Sequence, residues 1–317
     1  MHPAKSVILF TTASGAGYGM IFLLTLGQLL GILPFNSTLA FSGFGTAFFL
    51  IILGLASSTF HLGRPERAWR ALSQWRSSWL SREGILAISS FIPAGLYALL
   101  IVVGQGSFDG LVIFSGLVSL MLCTATVYCT AMIYASLKPI PAWYNRLVPT
   151  SYLVLALSSG ALLLSCILHF QGLSDLITDI TTIILLLASL VTKFLYWQHI
   201  AEHRGRSSVG TATGLGKLGK VRLLEAAHSE ANYLMKEMGF RIARKHSQRL
   251  RKITFISGFV LPVFLISLVG VLASTTLANL VMILAILMGT TGILTERWLF
   301  FAEAKHTVSL YYGAEKL

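Results

Sequence analysis

Residues 150–170 read TSYLVLALSSGALLLSCILHF, without a single Asp, Glu, Lys or Arg. A helix of about 20 such residues is long enough to cross the roughly 30 Å hydrocarbon core of a bilayer. Lipid offers the backbone no hydrogen-bond partners, so a spanning segment must satisfy itself, as a helix or within a closed barrel. A barrel would show shorter strands of alternating polarity, which this stretch does not. Seven further apolar runs flank it, at 6–33, 39–60, 84–104, 111–135, 177–199, 253–274 and 279–301. The whole chain of 317 residues is 55% hydrophobic and only 11% charged, a composition that excludes a soluble globular domain. The reading is an all-α polytopic membrane protein, a bundle of eight transmembrane helices.

The charges order those helices. Lys and Arg number 24, and all of them fall in the segments on one side of an eight-span topology. Lys5 precedes the first span. Arg64, Arg67, Arg70, Arg76 and Arg82 lie between spans two and three, and Lys138 and Arg146 between four and five. Lys193 is near the end of span six, twelve cations follow in 200–252, and Arg297, Lys305 and Lys316 close the chain. The turns on the other side, around Pro34, Asp109, Asp175 and Thr275, carry three Asp and no cation. The positive-inside rule therefore puts both termini and the long loop in the cytoplasm. A first span this long, preceded only by Lys5, is not read as a cleaved signal. The net charge of +12 then follows from topology and implies no nucleic-acid partner. A basic cytoplasmic face attracts anionic membrane lipids or an acidic protein.

Three segments follow from this pattern. Residues 1–199 hold spans one to six with the loop 61–83; 200–252 form a basic, amphipathic cytoplasmic loop; 253–317 hold the last two spans and a tail. Within the long loop, Gly205 to Gly219 reads as a flexible linker. Its Gly214-x-Gly216-x-x-Gly219 spacing lacks the preceding strand that would give a dinucleotide motif its meaning. Cys123, Cys129 and Cys166 sit inside apolar spans without the clustering an iron–sulfur centre needs, so they are expected to pack as buried thiols. Gly15-x-x-x-Gly19 and Gly27-x-x-x-Gly31 read as close helix contacts.

Chemistry concentrates between His61 and Glu83. The stretch runs His61-Leu-Gly-Arg64-Pro-Glu66-Arg67-Ala, then Trp75, then Ser78-Trp79-Leu-Ser81-Arg82-Glu83-Gly84. Pro65 ends the helix after His61 and Glu83 opens the next span, which should return both to neighbouring helix ends at one depth. Imidazole titrates near neutral pH, and a carboxylate beside it can hand on a proton. Together with Arg64 and Arg67, this pair suits a quinone carbonyl or quinol hydroxyl. The plainer alternative makes the Arg residues orientation charges, the Trp residues interfacial anchors and Glu83 a helix cap. Bis-histidine haem requires ligands at one depth on different helices. His61 and His169 lie on opposite faces, which leaves only His61 with His199.

The His61–Ala68 block with Ser81-Arg82-Glu83 resembles the membrane-anchor subunits of dimethyl sulfoxide reductase and its relatives. Asn232-Tyr-Leu-Met-Lys-Glu-Met-Gly-Phe240 and Glu296-Arg297-Trp-Leu-Phe-Phe-Ala-Glu303-Ala-Lys305-His306 extend the similarity over nearly the whole chain. The branch it is most similar to is the anchor of cytoplasmic sulfite dehydrogenase. The resemblance implies an eight-helix anchor that exchanges electrons with the quinone pool and has no haem, iron–sulfur cluster or molybdopterin of its own. It also implies two partners, an iron–sulfur electron-transfer subunit and a molybdopterin catalytic subunit; the short path that electrons must travel from the 61–83 loop puts their expected docking site on the cytoplasmic face. His61, Arg67 and Glu83 occupy positions matching the family's quinol-site His, Arg and Glu. Glu296, Glu303 and His306, spaced along one face of the last helix, are candidates for the same pocket or a proton path; a solvated helix end laced with Arg297 and Lys305 is the alternative. A purely structural anchor, a haem b cytochrome subunit and a transporter are rivals, the last disfavoured because the mid-span residues are mostly apolar.

Overall fold

The computed structural model describes residues 5–59, 64–104, 109–203, 208–225 and 241–312. Among them are eight helices long and apolar enough to cross a membrane, and no extended strand. We number these α1 (Lys5–Leu29), α2 (Ser37–Thr59), α3 (Trp79–Val103), α4 (Gly110–Ala135), α5 (Leu147–Phe170), α6 (Leu176–His203), α7 (Ser247–Val269) and α8 (Thr275–Ala302). The all-α eight-helix expectation holds.

Helix α1 is the most enclosed of the eight, packed chiefly on α2 and α5. Lipid chains are as apolar as Leu, so close backbone approach and van der Waals contact drive this association. Small residues make the approach. A Cβ on Gly17 would stand 2.6 Å from the Ala47 carbonyl oxygen of α2, and one on Gly19 would collide with the Ala156 carbonyl of α5. Gly160 returns the contact against the Gly19–Met20 backbone. The second glycine pair behaves differently from expectation. Gly31 has φ 71° and lies past the end of α1, where the Ile32 amide donates back to the Gly27 carbonyl at 2.9 Å. This is a helix-terminating turn that only a residue tolerant of positive φ adopts readily, and it explains why the first apolar run is longer than its helix.

Helix α7 contains a wide π turn at Ile256–Val260, just ahead of Pro262. Proline has no amide hydrogen and its ring crowds the carbonyl four residues back, so the widened turn relieves a clash inside the helix. Gly258 in that turn abuts Gly292 of α8, backbone on backbone. One apolar core joins α1, α2, α3, α4 and α5 around Met20, Leu24, Phe44, Tyr97 and Ile101. A second joins α5 to α8 around Leu186, Phe259, Ile266 and Met282. Cys123, Cys129 and Cys166 are buried free thiols.

The basic segments meet at one end of the bundle. The Thr307 amide donates to the Pro139 carbonyl (2.9 Å), the Arg244 guanidinium to the carbonyls of Ala302 and Ala304 (2.9 and 2.8 Å), and the Trp143 indole to the Phe300 carbonyl (2.9 Å). In the long loop, a short helix at Val209–Thr213 is anchored by Tyr311, whose hydroxyl donates to the Ala212 carbonyl at 2.8 Å. Gly214 and Gly219, at φ 73° and 146°, turn the chain there and form no phosphate-cradling strand–helix unit among the described residues.

Candidate functional site

The connection between α2 and α3 is a built structure. Pro65–Gln74 form a 3₁₀ helix with Pro65 in its first turn, where a missing amide hydrogen costs nothing. Three contacts fasten it to the start of α3. The Ser81 hydroxyl donates to the Ala71 carbonyl, and the Arg82 guanidinium donates to the carbonyls of Trp75 (2.8 Å) and Arg76 (2.6 Å). The same guanidinium lies 4.4 Å from the centroid of the Trp79 ring. Leu72 presses on Gly84, where a Cβ would come within 2.9 Å of it. Ser78, not Glu83, caps α3, its hydroxyl accepting from the Ser81 amide.

Freed from capping, Glu83 turns inward. It is 4% exposed, and the Thr130 hydroxyl of α4 donates to its Oε1. Thr130 also bonds back to the Thr126 carbonyl at 3.1 Å, so it holds a fixed rotamer against the carboxylate. Arg64 and Arg67 are exposed on the connection, Arg67 facing Glu66 at 4.0 Å. His61 and the 232–240 block lie outside the described residues.

Glu296 and Glu303 occupy separate settings. Glu296 is fully buried, its Oε1 2.5 Å from the Lys193 ammonium of α6 and its Oε2 3.4 Å from Nε of Arg297. Lys193 and Arg297 are themselves 1% and 3% exposed. Aromatic rings replace the water these cations gave up: the Lys193 nitrogen is 3.8 Å from the Tyr196 ring centroid, and the Arg297 guanidinium carbon 3.8 Å from that of Tyr152. The alternative of a solvated helix end is therefore corrected for Glu296 and Arg297, because α8 turns that face into the protein. Glu303, just past the helix, accepts from the Trp197 indole (3.0 Å) and pairs with Arg251 of α7 at 2.7 Å. His306 is beyond α8, which ends at Ala302, so the three residues do not share a helix face; its Nδ1 accepts from the Val308 amide at 3.0 Å.

Tyr134 connects the two regions. It lies one turn along α4 from Thr130, and its ring stacks at 5.9 Å between centroids on Tyr152, the ring that Arg297 covers. A line of buried ionisable and aromatic side chains thus runs from the rim at Glu303 through Lys193, Glu296 and Arg297 to Tyr134 and Glu83. Sequence reading missed Lys193 and Arg297 as members of it, although an ionisable residue inside an apolar span is itself the signal. Thr130 carried no comparable mark. At the opposite end, His169 Nε2 is 3.1 Å from each Asp179 oxygen and Ser165 donates to the same carboxylate at 2.9 Å, a clasp between α5 and α6. Among the described residues, no three His, Cys, Asp or Glu side chains are grouped to hold a metal ion.

Comparison with known proteins agrees with this architecture. A family model described as DMSO reductase anchor subunit (DmsC) matches residues 1–313. The chain is also 34% identical, over 98% of its length and 99% of the relative's, to a sulfite dehydrogenase subunit of Allochromatium vinosum. With eight spanning helices and a match from end to end, the chain belongs to the DMSO reductase anchor subunit family.

Proposed function

We propose that this anchor subunit exchanges electrons between the quinone pool and an iron–sulfur subunit that docks, with a molybdopterin catalytic subunit, on its basic end. The observation that carries the reading is Glu83: a buried carboxylate, held by Thr130, at the head of α3 beside the folded 64–78 connection. Ionisable groups inside a membrane protein are costly and mark functional pathways. Quinone is a substrate here. In one direction it takes up two electrons and two protons to become quinol; in the other, quinol gives them up. His61 and Glu83 exchange those protons, while Arg64 and Arg67 help bind the ring. The line from Glu303 to Glu83 supplies a route for protons from the aqueous side.

The name of the Allochromatium vinosum relative supports sulfite as the partner's substrate. Sulfite and water give sulfate, two protons and two electrons, and the electrons pass through the iron–sulfur subunit to quinone. The basic end would face the cytoplasm, and the complex would lie in the inner membrane. The His61→Ala and Glu83→Gln variants of the complex are expected to lose quinone-coupled turnover at least tenfold while dye-coupled activity of the catalytic subunit persists. Undiminished quinone-coupled rates in both would leave only a structural anchor.

A further inference from the structure

Two grooves at the basic end share Tyr144, Asn145 and Arg146 and so form one continuous depression, with volumes of about 510 and 570 Å³. One part runs over Lys138, Pro141 and His199, beside the last turns of α6. The other runs over Tyr128, Met132 and Ala135 along α4. No Asp or Glu lines either part.

The cations here differ from their neighbours. Lys193, Arg297, Arg251, Arg244 and Arg82 all spend their charge on carboxylates or carbonyls within the protein. The side chains of Lys138 and Arg146 have no hydrogen-bond or ion-pair partner among the described residues, and both are exposed. Arg146 moreover occupies the N-cap of α5, a 24-residue helix whose first amides are already taken, that of Leu147 by Asn145 Oδ1 at 3.0 Å and that of Val148 by the Asn145 carbonyl at 3.3 Å. A cation at the positive end of a helix dipole is unfavourable unless an anion accompanies it. An anion in the groove would therefore meet Lys138 and Arg146 together.

The apolar half says what else the ligand carries. Below Tyr128, the exposed surface of α4 continues as Met121, Leu117 and Phe114, 65%, 51% and 66% exposed. Spacings of three, four and seven put these on one lipid-facing stripe leading out of the groove. A charged head and an apolar tail on one ligand describe an amphiphile, and basic pockets between spanning helices are suited to acidic lipid heads. We propose that this groove binds an anionic phospholipid, its phosphate between Lys138 and Arg146 and an acyl chain along Tyr128 and Met121.

The test uses the purified complex in nanodiscs of mixed dioleoyl phosphatidylglycerol and phosphatidylcholine, with co-isolated lipid counted by mass spectrometry after transfer to detergent. Lys138→Gln with Arg146→Gln is expected to lower retained phosphatidylglycerol at least fivefold and leave phosphatidylcholine unchanged. The charge-keeping pair Lys138→Arg with Arg146→Lys should retain it, as should Lys217→Gln with Lys220→Gln, which removes equal charge elsewhere on the basic end. Equal loss from both Gln pairs would mean general surface attraction and overturn the site. So would undiminished retention in the first pair, or a groove without phosphatidylglycerol in the unmodified complex because a partner subunit fills it. Displacement by millimolar glycerol phosphate would reduce the site to a phosphate binder and refute the acyl contact.

Discussion

Glu296 serves two cations with one carboxylate, and that imbalance decides how its neighbourhood responds to substitution. Glu296→Gln strands Lys193 and Arg297 together in a water-free setting, side by side and uncompensated. Breaking a buried pair by removing one partner costs about 3–5 kcal/mol. Lys193→Met should be milder, because the Glu296–Arg297 pair that remains is neutral overall and the Met side chain fills most of the space. We expect Glu296→Gln to lower the thermal midpoint of the purified complex clearly more than Lys193→Met does; the reverse order, in a detergent thermal-unfolding assay, would refute the sharing. Sequence alone exposed Glu83 and Glu296 as interesting but not their partners. Thr130 is 47 residues from Glu83 and Lys193 is 103 from Glu296, so only packing could pair them. His61 lies outside the described residues, and its proposed role rests on its sequence block and on the test above.

The helices themselves were largely legible, because each is encoded by a local excess of apolar residues. Errors fell at the ends, where hydropathy stops carrying information. The first run overshoots into Gly31, whose positive φ is a matter of backbone, not polarity. The seventh begins earlier than its apolar stretch, since Ser247–Lys252 is polar yet helical and docks Arg251 on Glu303. Between helices, the α1–α5 seam depends on absent side chains at Gly19 and Gly160. Gly160→Leu would drive a branched side chain into the Met20 backbone, and overpacking of this kind costs about 1–3 kcal/mol or more where backbone must move. The expected result is a lower yield of folded protein and a thermal midpoint reduced by several degrees. A change of the same size at Gly95, which has nothing within 4 Å of its Cβ position, should be tolerated. Equal behaviour of the two variants would show that α1 and α5 are not in backbone contact there.

The molecule as a whole is polarised. Glu83, Lys193, Glu296, Arg297, Glu303 and Arg251 gather toward the end where the connections 64–78 and 136–146 and the 302–312 tail also meet, while the opposite end offers the His169–Asp179 clasp and short turns. Positive charge is retained on the cytoplasmic side during insertion, and short loops obey that bias most strictly. The connection 64–78 carries Arg64, Arg67, Arg70 and Arg76 within a single short loop, so crossing the membrane would mean carrying four guanidinium groups through hydrocarbon. The apolar seams already fix all eight helices relative to one another, which leaves only two orientations for the bundle, and the proposed one keeps this loop in the cytoplasm. It follows that an exposed position at the basic end, such as Lys252, must report the same compartment as the C-terminal tail. Alkaline phosphatase inserted after Lys252 should be inactive and a fluorescent protein at the same point bright, with the opposite pattern for insertions beside Asp109. Phosphatase activity at Lys252 would put the basic end outside the cell, and with it the docking face proposed for the iron–sulfur subunit.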